Sequence, residues 1–354
     1  MRILRLYLAR ETFLATLVVL LILLAVLLLF LLIDELGDLS PGYDIVIALA
    51  VVALKLPTWI VRIFPLALMI GTIFALGRLA DQSELTVIRS SGISTNSILY
   101  SVLLAGLIPI ICMLLMAEYV VPRSEFNAQN IYNAAHNKFL FQKTRYGVWL
   151  RNKDNFLHIG KMLSVSNMQD ITYYKFSKNQ LQKAISAPNG RIDNNGMLYF
   201  YQPQTYEFTR TAVKTHQDKI LVIKTGMSPH MLAQIQIEPN IQASKDLLEQ
   251  RNYLKQNLFD TTQIDYALWS RLSYPFTSFL MLFLAFPFVL GSNRIKTASQ
   301  RIFTGIMVGL VFFTISRILE QIGLLYYVPG WFSYFAPIVM FFILGLVLYR
   351  RTLF

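Results

Sequence analysis

The chain contains 21 consecutive residues without a charged side chain, at positions 13–33. A helix of this length rises about 30 Å, which matches the hydrocarbon thickness of a bilayer. Arg2, Arg5 and Arg10 precede the run, as in a signal sequence. The apolar stretch is too long for a signal peptide and no small-residue cleavage site follows it, so we expect an uncleaved first membrane span.

Five further apolar stretches have the length of a membrane helix, which gives six spans in all. They lie at residues 61–79, 97–119, 269–290, 302–326 and 331–349. Residues 45–56 are also apolar, but Pro57 and Pro65 interrupt the sequence that joins them to the second span. Because 45–56 alone is too short to cross a bilayer and proline disrupts helices, we expect a separate interfacial helix there.

Composition and charge agree with a membrane protein that is oriented by its loops. Hydrophobic residues make up 55% of the chain and charged residues 15%, against roughly 25% charged residues in soluble domains. Alternating the six spans places ten basic residues on one side: Arg2, Arg5, Arg10, Arg78, Arg89, Arg294, Lys296, Arg301, Arg350 and Arg351. Lys55 alone lies in the short loops opposite. The positive-inside rule therefore predicts that both termini are cytoplasmic.

Residues 122–266, between the third and fourth spans, form a more polar block that the same rule places outside the cytoplasm. Seven segments predict strands, at residues 146–151, 155–161, 171–176, 181–186, 197–201, 205–210 and 219–224. Asn189 with Gly190, and residues 194–196, are typical of turns. This pattern indicates a sandwich or jelly-roll-like domain. Its flanks read as helices at 125–138 and 244–258, so we expect three parts, at residues 1–121, 122–266 and 267–354.

The sequence carries no signature of catalysis, of a metal site or of a bound cofactor. It lacks a phosphate-binding loop and the H-E-x-x-H pattern, and Cys112 is its single cysteine. His136, His158, His216 and His230 are not spaced as metal ligands.

The net charge of +12 suits nucleic acid, an anionic lipid surface or a phosphate-bearing substrate. Placement in a membrane favours the last two.

The segment 81–92, between the second and third spans, has the signals of a short cytoplasmic helix. Asp81 and Glu84 have the spacing of a capping box. Leu85 and Ile88 form an apolar i,i+3 pair that suits docking into a groove of a partner. A solvated connector between two spans explains the same residues equally well.

Arg317, Glu320 and Gln321 share one face of the fifth span, at positions i, i+3 and i+4. Charged side chains inside a membrane are costly, so they face a protein interior or a water-filled cavity. Two interpretations remain open. The residues form an Arg–Glu ion pair that fixes helix packing, or they line a path for an amphiphilic substrate.

Several short motifs resemble those of the LptF/LptG permease family. They are Phe64 with Pro65, residues 79–80, 83–85, Val87, 91–92, and Glu118 with Pro122. Together with the order of three helices, an outer β-domain and three more helices, the resemblance covers nearly the whole chain. Residues 301–306, 319–322 and 329–330 are similar to the LptG branch of the family more than to the LptF branch.

The resemblance implies a permease subunit of an ABC transporter in the bacterial inner membrane, with residues 122–266 in the periplasm. Such a complex extracts lipopolysaccharide from the inner membrane and exports it toward the outer membrane. The implied partners are an LptF-type permease subunit, a dimer of LptB-type ATPases that bind ATP and Mg²⁺, and a single-span LptC-type protein. No cofactor and no nucleic acid are implied for this chain.

The resemblance also implies roles for individual residues. Six of them match the family's coupling helix, with Glu84 as the acidic contact to the ATPase: Ser83, Glu84, Leu85, Val87, Ile88 and Arg89. The first and fifth spans match helices that form lateral gates. Family members can carry lysines at the outer end of the first span, whereas residues 31–38 here are acidic. The remaining candidates for the substrate cavity are Lys55, Arg62, Arg317, Glu320 and Gln321.

Two other classes of function fit part of the pattern. An ion-coupled secondary transporter needs ionisable groups in broken helices and often has repeated halves, but Arg317 and Glu320 have no second matching element. A membrane scaffold that binds a partner through its β-domain has no need of charges inside a span. Co-purification of an ATPase discriminates the exporter from the secondary transporter.

Overall fold

A computed structural model describes residues 2–136, 148–152, 155–162, 166–177, 180–193, 195–209, 212–225, 238–257, 259–290 and 298–353. These residues form two compact units. A helical unit comprises Met1–Gly37, Val52–Glu125 and Thr262–Phe354. A sheet unit comprises Asp38–Val51 and Phe126–Thr261.

Within the described part of the chain, six helices are long and apolar enough to cross a membrane. They are α1 (Arg2–Gly37), α2 (Ile45–Asp81), α4 (Thr95–Leu115), α7 (Thr262–Leu290), α8 (Ala298–Leu325) and α9 (Gly330–Leu353). The short helix α3 (Glu84–Ser90) joins α2 to α4, and α4 continues through a π-helical turn (Met116–Val120) into α5 (Val121–Ala135). The fold class predicted from the sequence, six membrane helices with a β-domain between the third and fourth, is confirmed.

Helix α2 is continuous over 37 residues, so the predicted break between an interfacial helix at 45–56 and a second span is wrong. Pro57 and Pro65 both lie inside it. Each proline removes one N–H donor and its ring crowds the carbonyl of residue i−4, at a cost of about 3 kcal/mol or more. A non-helical stretch in lipid would leave several backbone groups unpaired at several kcal/mol each. Continuing the helix through both prolines is therefore the less costly solution.

The core of the helical unit centres on α7. Residues 280–287 of this helix are all buried, with Met281 and Leu282 fully enclosed, as expected of a helical segment that neighbours surround. Glycines permit close contacts between helices. A Cβ atom on Gly106 of α4 would lie 2.2 Å from Cδ1 of Leu282, and one on Gly71 of α2 would lie 2.5 Å from Cα of Thr16 in α1.

The sheet unit contains one antiparallel sheet of eight described strands. They are β1 (Val148–Asn152), β2 (Asn155–Met162), β3 (Asn167–Ser177), β4 (Gln180–Ile192), β5 (Met197–Tyr201), β6 (Gln204–Phe208), β7 (Val213–Gln217) and β8 (Ile220–Lys224). They pair in the order β1-β2-β3-β4-β5-β8, while β6 pairs with both β4 and β7. Besides β3, the long strand β4 pairs with two further strands, since residues 189–192 pair with β5 and residues 183–186 pair with β6.

All seven predicted strands correspond to strands of the sheet, although residues 146–147 and 210 of the predictions lie outside the described residues. Strand β7 was missed. Its five residues are all exposed, so the alternation of buried and exposed side chains that marks a strand is absent from its sequence.

The turn predicted at Asn189 and Gly190 is wrong, because both residues lie inside β4. Gly190 is required there by packing. A Cβ atom would lie 2.2 Å from Cδ1 of Ile171 and 3.1 Å from the carbonyl oxygen of Tyr199. The second predicted turn is confirmed at residues 195–196, where Gly196 adopts a φ of +74° between β4 and β5. Residue 194 lies outside the described residues.

Helix α6 (Ser244–Gln256) packs on the sheet through Tyr253. The core beneath it includes the fully buried Ile159, Ile171 and Phe200. The Tyr253 hydroxyl donates a hydrogen bond of 2.7 Å to the carbonyl oxygen of Arg151 in β1. Burial raises the pKa of Tyr253 to about 12. The phenol therefore stays neutral and remains a donor at physiological pH.

The segment between α1 and α2 packs on the end of α5. Tyr43 is fully buried, and its ring centroid lies 5.4 Å from that of Tyr132 and 4.5 Å from that of His136. The Tyr132 hydroxyl donates a hydrogen bond of 2.8 Å to the Asp38 carboxylate. These contacts fix the start of α2 within the sheet unit.

We expect Gly71→Ala to destabilise the helical unit, because the added methyl group meets the backbone of Thr16. Overpacking of this kind costs about 1–3 kcal/mol. The matched control is Gly37→Ala in α1, since no atom lies within 4 Å of a Cβ at Gly37. Thermal unfolding in detergent measures both variants, and equal stability would contradict the close packing of α1 on α2.

Candidate functional site

Helix α3 is short and has no side-chain cap at its start. It spans the seven residues Glu84–Ser90. Ser83, which precedes it, has a φ of 60° and makes no capping hydrogen bond. This left-handed conformation is uncommon for a residue other than glycine. The position of α3 therefore depends on contacts with neighbouring helices.

The capping box predicted from Asp81 and Glu84 is wrong. Asp81 is the last residue of α2, and its carboxylate accepts a hydrogen bond of 2.5 Å from Arg301 at the start of α8. Glu84 accepts a hydrogen bond of 2.8 Å from the hydroxyl of Tyr7 in α1. Both carboxylates thus have partners that are distant in sequence, which a spacing rule within one loop cannot detect.

The six residues matched to the coupling helix divide between the core and the surface. Leu85 is buried in the core of the helical unit, and Ile88 packs against that core. The pair therefore does not form the outward docking surface that its spacing predicted. Val87 has 65% of its surface exposed. Of the others, Ser83 and Arg89 are exposed and Glu84 is half-buried.

The polar cluster in α8 contains the ion pair that one interpretation of the sequence required. Arg317 Nη1 lies 2.7 Å from Glu320 Oε2, and the Tyr334 hydroxyl of α9 donates to Glu320 Oε1 at 3.0 Å. Glu320 is buried, whereas 63% of the Arg317 side chain is exposed. Gln321, next along the helix, is exposed. Glu320 thus anchors the cluster between α8 and α9, while Arg317 presents donors at the surface of this chain.

The two basic candidates in α2 have different surroundings. Lys55 Nζ lies 3.0 Å from Oε2 of Glu35, whose side chain is only 7% exposed. The guanidinium of Arg62 lies over the ring of Trp59, 5.2 Å from its centroid. Lys55 and Arg62 are two helical turns apart and share one side of α2. The five cavity candidates therefore form two groups, one on α2 and one on α8.

Sequence reasoning missed an ion pair between α7 and the π-helical turn. Arg271 Nη1 lies 2.6 Å from Glu118 Oε2, and the two side chains are 17% and 30% exposed. The π-helical turn carries Glu118, and such turns are frequent at functional sites. The available signal was Arg271 itself, a charge inside the apolar stretch predicted as the fourth span.

Within the described ranges, no group of histidine, cysteine, aspartate and glutamate side chains is arranged to hold a metal ion. His136 and His158 lie against aromatic rings, and His216 lies beside Asp218. His230 falls outside the described residues.

Comparisons with known proteins agree with this architecture. A family model described as lipopolysaccharide export system permease LptF/LptG matches residues 6–351. A Haemophilus influenzae protein named lipopolysaccharide export system permease protein LptG is 26% identical over 306 residues, 85% of each chain. An Escherichia coli K12 protein of the same name is 25% identical over 349 residues, 98% of this chain and 97% of that protein. The chain belongs to the LptF/LptG family of lipopolysaccharide export system permeases.

Proposed function

We propose that the chain is the LptG-type permease subunit of a lipopolysaccharide exporter in the bacterial inner membrane. The observation that carries this proposal is the family match over residues 6–351, on a fold of six membrane helices with a sheet between the third and fourth. The curated relatives that support the subunit assignment are both named LptG. Its partner in the membrane is then an LptF-type chain.

Energy for export comes from separate chains in this proposal. The sequence has no phosphate-binding loop, so ATP and Mg²⁺ bind to a dimer of LptB-type ATPases. A single-span LptC-type protein completes the complex. Purification of the chain under mild conditions tests this assembly, since an LptB-type ATPase has to accompany it.

The exposed side of α3 is the proposed contact with the ATPase. It carries the half-buried carboxylate of Glu84, the exposed side chain of Val87 and the exposed cation of Arg89. Leu85 holds this helix to the core of the bundle. A short helix that is anchored on one side and exposed on the other can transmit force from a docked protein to the membrane helices.

Substrate contacts are proposed for the α2 and α8 groups. Lipid A carries phosphates, which guanidinium groups bind well. Lys55 is engaged by Glu35, whereas no acidic partner of Arg62 is found among the described residues. Arg317 keeps most of its side chain exposed beside Glu320. Arg62 and Arg317 are therefore the stronger phosphate-binding candidates.

Topology follows from the charge distribution of the short loops. We expect a reporter that is active only in the cytoplasm to work at the C-terminus and to fail at residue 200 in β5. An alkaline phosphatase fusion should give the reverse result, because ten of the eleven basic residues counted in short segments fall on one side. Activity of one reporter at both positions would contradict six spans with cytoplasmic termini.

We expect Arg317→Ala to reduce photocrosslinking of lipopolysaccharide to a crosslinking amino acid placed at Gln321, one turn along α8. Removing the guanidinium also leaves the buried Glu320 without its partner at 2.7 Å. The double variant Arg317→Ala with Glu320→Gln removes that unpaired charge. Low crosslinking in the double variant supports a substrate contact, whereas recovery to the normal level means that Arg317 serves only the ion pair.

We expect Glu84→Gln to lower ATP hydrolysis in the assembled complex by about 10-fold, the scale of one lost contact with a charged group. Glutamine has the same shape and still accepts a hydrogen bond from the Tyr7 hydroxyl. A loss of ATP hydrolysis in this variant therefore reports the missing negative charge. The control is Glu249→Gln, the same chemical change at an exposed position of α6. Normal ATPase association and export in Glu84→Gln would rule out Glu84 as the coupling carboxylate.

A further inference from the structure

The carboxylate of Glu84 is oriented by a residue of another membrane helix. Tyr7 in α1 donates its hydroxyl hydrogen to Glu84 Oε2 at 2.8 Å. Ser83, directly before α3, makes no side-chain capping hydrogen bond. A carboxylate has two oxygens and about four lone-pair sites, so this hydrogen bond leaves room for a donor from a partner.

Two further polar contacts lie at the end of α2 that leads into α3. Arg78 donates to Glu11 of α1, and Arg301 of α8 donates to Asp81. Tyr7 and Glu11 are four residues apart in α1 and therefore lie on one face of that helix. The junction between α2 and α3 is thus bound to α1 at two points and to α8 at one.

These contacts serve to position helices rather than to stabilise the fold. The Arg78 and Asp81 side chains are 47% and 50% exposed, while their partners Glu11 and Arg301 are 18% and 11% exposed. Solvent reaches one member of each pair and screens part of the attraction, which limits what the pairs add to stability. Their consequence is positional, since they set where α1 and α8 lie relative to α3. A cavity of about 220 Å³, lined in part by Arg78, Asp81 and Arg301, adjoins the contacts. It gives the side chains room to move together.

We propose that Tyr7 is a positioning residue for the Glu84 carboxylate, and that the Tyr7–Glu84, Glu11–Arg78 and Asp81–Arg301 contacts carry a displacement of α3 to α1 and α8. This inference rests on the proposed function, in which Glu84 meets an ATPase. When the ATPase moves α3, α1 follows through two contacts on one face and α8 follows through Arg301. The motion thereby reaches two membrane helices through polar side chains, alongside the anchor of Leu85 in the core.

The first test is Tyr7→Phe, which removes one hydroxyl and keeps the ring. In the reconstituted complex we expect unchanged thermal stability and unchanged ATPase association. Lipopolysaccharide released per ATP hydrolysed should fall about 2- to 10-fold, the range for one net hydrogen bond. The control is Tyr326→Phe, at an exposed position beyond the opposite end of α8, which should behave as the wild type. An unchanged ratio in Tyr7→Phe would overturn the proposal.

A charge exchange tests the contact with α8 separately. Asp81→Arg and Arg301→Asp should each lower the amount of lipopolysaccharide released per ATP hydrolysed. The double variant should restore at least half of the loss, because it forms the same ion pair with the two charges exchanged. Normal ratios in the single variants, or no recovery in the double variant, would overturn the role of this contact.

The wild-type complex separates this inference from the proposed function. Absence of ATP-dependent release from the wild type would reject the proposed function itself. Release by the wild type together with an unchanged ratio in Tyr7→Phe rejects the positioning role alone.

Discussion

Backbone hydrogen bonding inside lipid is the constraint on which the helical unit depends. No water is present there to pair a free N–H or C=O group. Helix α2 therefore continues through Pro57 and Pro65, and α4 departs from α-helical geometry only for one π-helical turn before α5. Because the spans have to be helices, side chains of different spans can meet only where two helices pack. The contacts made by Tyr7, Glu118 and Glu320 are all of this kind.

The cost of an isolated charge in a membrane is the second constraint. Three cations in or near the spans lie beside carboxylates: Lys55 with Glu35, Arg271 with Glu118 and Arg317 with Glu320. Of the three, Arg317 keeps the largest exposed fraction of its side chain, at 63%. The pairing also gives Glu35, near the end of α1, a partner in α2.

The spans and most strands could be predicted because burial selects apolar side chains in a recognisable pattern. The six spans are long apolar stretches, and β2 and β5 place apolar side chains at alternating positions. The exposed strand β7 has no such pattern. Contacts between distant residues leave no comparable trace. Asp81 and Glu84 have the spacing of a cap, yet their partners Arg301 and Tyr7 lie on other helices. The resemblance to a family supplied the function, which composition and spacing left open among three classes.

ATP-driven release of lipopolysaccharide from proteoliposomes measures the central claim most directly. The vesicles contain the purified complex of this chain with its LptF-type and LptB-type partners, and lipopolysaccharide in the bilayer. We expect release to a soluble acceptor only when ATP and Mg²⁺ are present and only when this chain is included. Release that persists without ATP and follows an imposed proton or sodium gradient would contradict an ABC permease and support an ion-coupled carrier.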